Sequence, residues 1–199
     1  KNNIGSPMPK FTFGWTNTFR YKNFDLSVFI NGSYGNKVYN YLSMKLTHMN
    51  SPWTNQLNAV NGRAQLVPIN PNKVYEDGTM WYNDVSNVMV ANPGASIPRA
   101  TINDPNDNDR ISDRYIEDGS YIRLKNISLG YTFPKKTIDK LGLSNLRIYA
   151  NIQNLLTITG YDGYDPEIGA STSSVNVYGL DNGRYPSPTV YSFGLNVSF

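Results

Sequence analysis

The feature that most constrains this chain is a strict alternation of large apolar and small or polar side chains, clearest in KFTFGWTNTFRYKNFDLSVFINGSYG. Phe11, Phe13, Trp15, Phe19 and Tyr21 alternate with Thr12, Gly14, Thr16, Thr18 and Arg20. Successive side chains of a strand point to opposite faces, so a period of two puts hydrocarbon on one face and polar groups on the other. After Lys22-Asn23 the apolar parity switches to Phe24, Leu26, Val28 and Ile30. A two-residue turn sets Tyr21 opposite Phe24 and Phe19 opposite Leu26, so the switch keeps both sets on one face. Asn17 interrupts the apolar set near mid-strand, and nothing in the sequence accounts for it.

Three more stretches carry the same pattern. In YIRLKNISLGYTFP, Ile127, Leu129, Tyr131 and Phe133 oppose Asn126, Ser128, Gly130 and Thr132. Its upstream end departs from this, because Arg123 and Lys125 fall on the apolar parity; either that end rises above the apolar band or a bulge shifts the register. In LRIYANIQN, Leu146, Ile148, Ala150 and Ile152 oppose Arg147, Tyr149, Asn151 and Gln153. In TVYSFGLNVSF, Tyr191, Phe193, Leu195, Val197 and Phe199 oppose Ser192, Gly194, Asn196 and Ser198. The eight steps from Tyr191 to Phe199 cover about 26 Å, or roughly 19 Å of height at a 45° tilt, close to the apolar band of an outer-membrane barrel. Strands are thus expected near residues 10–21, 24–34, 121–133, 145–154 and 189–199, with outer loops near 35–120 and 155–188.

Two-faced strands build either a soluble sandwich or a membrane barrel, and the connections separate these. They run short, very long, short and long, where compact soluble domains keep most loops short. Short turns at one end of the sheet and long loops at the other are the asymmetry of outer-membrane barrels. With 199 residues, a mean hydropathy of −0.46 and no apolar run near 18 residues, the chain holds no transmembrane helix, but spanning strands escape that average. Fifteen Tyr, eight Phe and no Cys suit passage through an oxidising periplasm. The net charge of +3 is scattered without a basic run, so no nucleic-acid partner is expected. Five strands fall short of the roughly eight that the smallest membrane barrel needs, so the chain is expected to be the C-terminal piece of a longer one.

Several stretches together resemble the C-terminal region of SusC/RagA-family TonB-dependent outer-membrane transporters: FTFGWTNTFRYKNFDLSVFINGSYGN, NDRISDRYIEDGSYIRLKNISLGYTFP, LSNLRIYANIQNLLTITGYDGYDPE and YPSPTVYSFGLNVSF. The resemblance implies an all-β fold: about five C-terminal strands of a 22-stranded antiparallel transmembrane barrel with long extracellular loops, in the outer membrane of a Gram-negative bacterium. It also implies a plug domain that is not in this chain, energy coupling through TonB, no enzymatic activity and no cofactor. A SusD-like lipoprotein lid would help capture oligosaccharides or peptides, while lipid surrounds the wall. Tyr191, Phe193, Leu195, Val197 and Phe199 match the family's terminal signal for the barrel-assembly machinery. The alternative from another class is a soluble β-sandwich carbohydrate-binding module.

The remaining candidates are weighed on chemistry. Tyr161 and Tyr164 of GYDGYDPE are placed to stack on a sugar or peptide beside the acceptors Asp162 and Asp165, and Trp53, Trp81 and Tyr82 are candidate ring surfaces in the longer loop. Asp165 before Pro166 is also a turn former, and the separation of Asp162, Asp165 and Glu167 in space is not legible, so a glycosidase pair is not inferred. DPNDNDRISDRYIEDG opens like a calcium loop at Asp104, Asn106 and Asn108. It has Asp109 where the turn Gly belongs and Tyr115 where the closing acid belongs, so a structural loop is expected and no metal site. His48, the single histidine, sits in VYNYLSMKLTHMN, where Val38, Tyr41, Leu42, Lys45, Leu46 and Met49 fall at helical spacing and point to a short amphipathic loop helix. PKKTIDKLGLSN offers one helical turn between Pro134 and Gly142.

The two classes part on behaviour in water. Expressed alone, residues 1–199 are expected to aggregate unless detergent covers the aromatic face and open edges; a monodisperse, sugar-binding monomer in analytical ultracentrifugation would instead identify the soluble module.

Overall fold

A computed structural model of the chain describes residues 3–168, 170–171 and 174–199, with the backbone alone for 170–171 and 174–177. The chain forms two compact units, one of Lys1–Asn40 with Ile116–Phe199 and one of Tyr41–Tyr115. No helix among the described residues is long and apolar enough to cross a membrane.

The first unit is built on five long strands, β1 (Phe11–Tyr21), β2 (Phe24–Tyr34), β3 (Tyr121–Thr132), β4 (Asn145–Thr159) and β5 (Val190–Ser198). They make one antiparallel sheet in chain order. A sandwich needs a second long-stranded sheet facing the first, and among the described residues all five long strands lie in this one, which is not the arrangement of a carbohydrate-binding sandwich. β1 and β2 pair without a slip from Phe11 opposite Tyr34 to Tyr21 opposite Phe24. Between them Lys22 takes a φ of 54°, the left-handed value that tight hairpins use at the first turn position. β4 continues to Thr159, past the 154 that the alternation suggests, because Leu156 and Ile158 keep the apolar parity beyond Asn154.

The period of two becomes two chemically distinct faces. Trp15, Phe19, Leu129, Ile148, Phe193 and Leu195 stand on the apolar face, all exposed, with Phe193 at 84%. Aromatic pairs mark both of its ends. Phe11 and Tyr34 lie 5.4 Å apart at the long-loop end, while Tyr131 lies 4.7 Å from Phe24 and 5.0 Å from Phe133 at the short-turn end. Rings at the two edges of an apolar band are the girdles of a membrane barrel. On the polar face, Arg147 of β4 reaches across β3 to Asp25 of β2, with Nη2 2.6 Å from Oδ2. The strand crossed presents Gly130, whose missing side chain leaves the path open: a Cβ there would collide with both the Arg147 guanidinium and the Asp25 carboxylate. Asn17 lies opposite Val28 on the apolar face, and the structure offers no reason for it.

The irregular end of β3 is a bulge. Phe29 and Ile30 are consecutive on β2, yet they pair with Asn126 and Leu124, so Lys125 is the extra residue. One inserted residue inverts the parity upstream, which places Leu124 and Ile122 with the apolar residues and turns Arg123 to the polar face opposite Thr157. At the other end of β3, Lys135–Ile138 forms a single α-helical turn, followed by a 3-10 turn at Asp139–Leu141 and then Gly142 at φ 69°. Ile138, 2% exposed, anchors that turn.

At the long-loop end a small sheet extends the wall. Lys37–Asn40 pairs antiparallel with Ile116–Asp118 and parallel with Leu180–Asp181. Val38 lies inside it at 1% exposure, a strand residue rather than part of the helix its spacing suggested. In the second unit the helix α1 (Tyr41–Thr47) buries Met44 and Thr47, and Leu66–Pro68 pairs with Val88–Val90 in a short hairpin ladder.

Gly32 of β2 is the tightest backbone approach in the wall, since a Cβ would stand 2.5 Å from both the Phe13 ring and the Tyr121 carbonyl oxygen. The carbonyl belongs to the β3 backbone and has no rotamer to escape into. Gly32→Val is therefore expected to destabilise the intact barrel by about 1–3 kcal/mol, read as a lowered midpoint in denaturant unfolding in detergent.

Candidate functional site

The bulge at Lys125 generates a densely paired group in the first unit. A guanidinium turned inward needs its donors satisfied, and Arg123, 3% exposed, is surrounded by acceptors. Nε donates to Thr157 Oγ1 at 2.8 Å, Nη1 to Glu167 at 2.7 Å and Nη2 to Asp165 at 2.5 Å. Lys125 adds its ammonium to Glu167 at 3.0 Å. Asp165 also accepts from the backbone amides of Glu167 and Ser187. Burial alone would raise the Asp165 carboxyl, but the Ser187 amide, Arg123 and the Glu167 amide outweigh it and lower it to about 2.

A second anchor holds the same loop to the small sheet. Tyr161, 5% exposed, donates its hydroxyl to Asp181 at 2.5 Å, and burial together with that carboxylate pushes the phenol well above its ordinary range. Asp181, 1% exposed, also accepts from the amides of Gly183 and Arg184. Glu117 accepts from the Asp162 amide and from Asn40 Nδ2. Of the four residues GYDGYDPE offered as binding groups, the structure turns Tyr161 and Asp165 into the loop's own framework and leaves Asp162 and Tyr164 on its surface, Tyr164 at 65%. Arg123 is the residue that sequence reasoning did not place; its mismatch with the apolar parity was the available signal.

In the unit of residues 41–115, Trp53 projects at 92% exposure, and the Trp81 and Tyr82 rings meet edge to face at 5.7 Å. Beside them Asp84 binds Lys73 at 2.5 Å, Tyr75 at 2.9 Å and Ser86 at 2.6 Å, which together hold its carboxyl far below the usual range. His48 Nε2 lies 3.0 Å from Asp104, whose oxygens also accept from the amide and side chain of Asn108. The candidate ligand atoms of His48, Asp104 and Asp109 come within 4.8 Å of one another, a grouping that the spacing of Asp104, Asn106 and Asn108 did not suggest. The hydrogen bonds from Asn108 and the contact with His48 make Asp104 the anchor of a turn.

No family model matches the chain. It is 36% identical over 201 residues to TonB-dependent receptor P3 of Formosa agariphila, covering 98% of this chain and 17% of that protein. It is 28% identical over 196 residues to TonB-dependent receptor SusC of Bacteroides thetaiotaomicron, covering 97% and 15%. Among solved structures, that of the RagAB peptide transporter superposes with a TM-score of 0.68 at 21% identity, over 98% of this chain and 18% of that one. The chain therefore spans about one-sixth of the length of the curated relatives it matches.

Removing the buried cation should release the loop. Arg123→Met strands Asp165 in a buried site, a loss of about 3–5 kcal/mol that hydrogen exchange should register as faster exchange at 160–168 and 180–188. The pH dependence has a definite sign. Because the Asp165 pKa is lowered from 3.8 to about 2, its contribution is complete above 3.8 and fades as pH falls through about 2. Acid-protease cleavage of the loop should accordingly rise across that window.

Proposed function

We propose that this chain, similar along 98% of its length to a TonB-dependent receptor, forms part of the wall and outer mouth of an energised outer-membrane importer of oligosaccharides or peptides. The observation that carries this reading is the five-stranded wall with an uncovered aromatic face, aligned along 98% of its length with a TonB-dependent receptor. In this role the apolar face meets lipid, and the polar face, with Arg20, Asp25, Arg147, Asn151 and Gln153, lines a wet interior. The small sheet and the Arg123 cluster support the outer rim. Cargo meets Asp162 and Tyr164 on the rim, with Tyr161 and Asp165 holding them from behind, and the rings of Trp53, Trp81 and Tyr82.

A SusD-like lipoprotein is the partner expected at the mouth, and TonB supplies the coupling through a plug domain outside this chain. The outward residues Tyr191, Phe193, Leu195, Val197 and Phe199 are the surface assigned to the barrel-assembly machinery. No step in this reading makes or breaks a covalent bond of the cargo.

The test uses the full-length protein in an outer-membrane host supplied with labelled oligosaccharide and peptide pools. Accumulation of one pool that stops when a protonophore collapses the proton gradient is the expected result. Uptake that persists without the gradient would identify a passive porin instead. In the same assay Tyr164→Ala with Asp162→Ala is expected to weaken cargo affinity by about tenfold, a stacking and hydrogen-bonding loss of 1–2 kcal/mol.

A further inference from the structure

We propose that an open cleft within residues 41–115 is a subsite for a carboxylate group on the cargo, an inference that rests on the importer reading. The cleft, of about 820 Å³, is lined by Arg63, Gln65, Tyr82, Asn83, Arg99 and Asn103 among others. Local backbone pairing brings the two arginines to it. Arg63 bridges in parallel to Ile97, the Ala64 amide donates to the Ile97 carbonyl at 2.8 Å, and Asn92 clamps the Arg63 carbonyl at 2.9 Å. Arg99 follows two residues after Ile97. No acidic residue lines the cleft.

Arg99 also borders the small pocket that holds Asp104, but that carboxylate is engaged by His48 and Asn108. Among the described residues neither arginine forms an ion pair with a carboxylate. The acids that follow the lining residues in sequence are taken elsewhere: Asp84, after Asn83, by Lys73, Tyr75 and Ser86, and Asp104, after Asn103, by His48 and Asn108. Arg63 gives one Nη1 hydrogen bond to the Val60 carbonyl at 3.3 Å. Half-buried arginines lining an open cleft that has no carboxylate in its lining attract an anion, and the planar fork of a guanidinium matches a carboxylate in two-point geometry. The amides of Gln65, Asn83 and Asn103 offer both donors and acceptors for the neutral remainder of an oligomer, and Tyr82, 43% exposed, offers a ring face.

A uronate sugar and an acidic peptide carry the same carboxylate, so the test has an arm for each. Full-length protein in detergent is titrated calorimetrically with tetragalacturonate, its methyl ester, tetraglutamate and tetraglutamine. At least one acidic oligomer is expected to bind about tenfold tighter than its neutral counterpart, with affinity falling as salt rises; which acid binds identifies the source. The double variant Arg63→Gln, Arg99→Gln is expected to abolish the preference. The variant Arg63→Lys, Arg99→Lys retains part of it, which separates lost charge from lost folding. Equal affinities for acid and neutral forms, a preference that survives the glutamine variant, or no binding of any probe would each overturn the subsite. Gradient-dependent uptake of neutral oligomers alone would also overturn it while leaving the importer intact. Acid-selective binding without energised uptake would support the subsite and remove the importer reading.

Discussion

A guanidinium cannot rest against hydrocarbon without partners, and in this wall that constraint is met by one extra residue. Without Lys125 as a bulge, Arg123 would stand on the same face as Ile127 and Leu129. With it, Arg123 crosses to the polar face, and the loop beginning at Gly160 has something to fold against. Arg123 and Asp165 at the centre of the cluster are buried, so its worth lies less in net stability than in geometry, because Asp165 and Glu167 find these donors together in one arrangement of the loop. Asp162 and Tyr164 acquire a fixed position on the rim as a result.

The polar face below the bulge follows the same logic at lower stakes. Asp25 and Arg147 are partly solvated, and their pairing across an intervening strand depends on the absence of a side chain at Gly130. Cross-strand pairs of this kind pin the register of three strands at once. On the opposite face register is carried by the apolar side chains themselves, since a slip of one residue would turn every aromatic into the interior.

Much of the wall was legible because its signal is local. Period two, the parity switch at Lys22-Asn23 and the disparity of the connections follow from neighbouring residues, and Arg123 and Lys125 announced the bulge by breaking the pattern. The loops were less legible because their order comes from distant partners. No spacing rule links Tyr161 to Asp181, His48 to Asp104 or Asn40 to Glu117. Val38 shows the reverse error, a helical periodicity satisfied by residues of which only some enter the helix, because pairing with Glu117 keeps Val38 in a strand. The cleft of Arg63 and Arg99 left no motif at all, being assembled by an isolated bridge between segments more than thirty residues apart.

The small sheet at the rim has a consequence for how such a wall tolerates change. It pairs Lys37 with Asp118 and Tyr39 with Ile116, so the chain leaves for residues 41–115 and returns from them on adjacent strands. The excursion is closed at its base by backbone hydrogen bonds belonging to the wall, and each doubling of loop length adds only about 0.6 kcal/mol to the entropy of closure. An insertion anchored in this way behaves as an exchangeable cassette: its contents can be lengthened, shortened or replaced while the strands beneath keep their register.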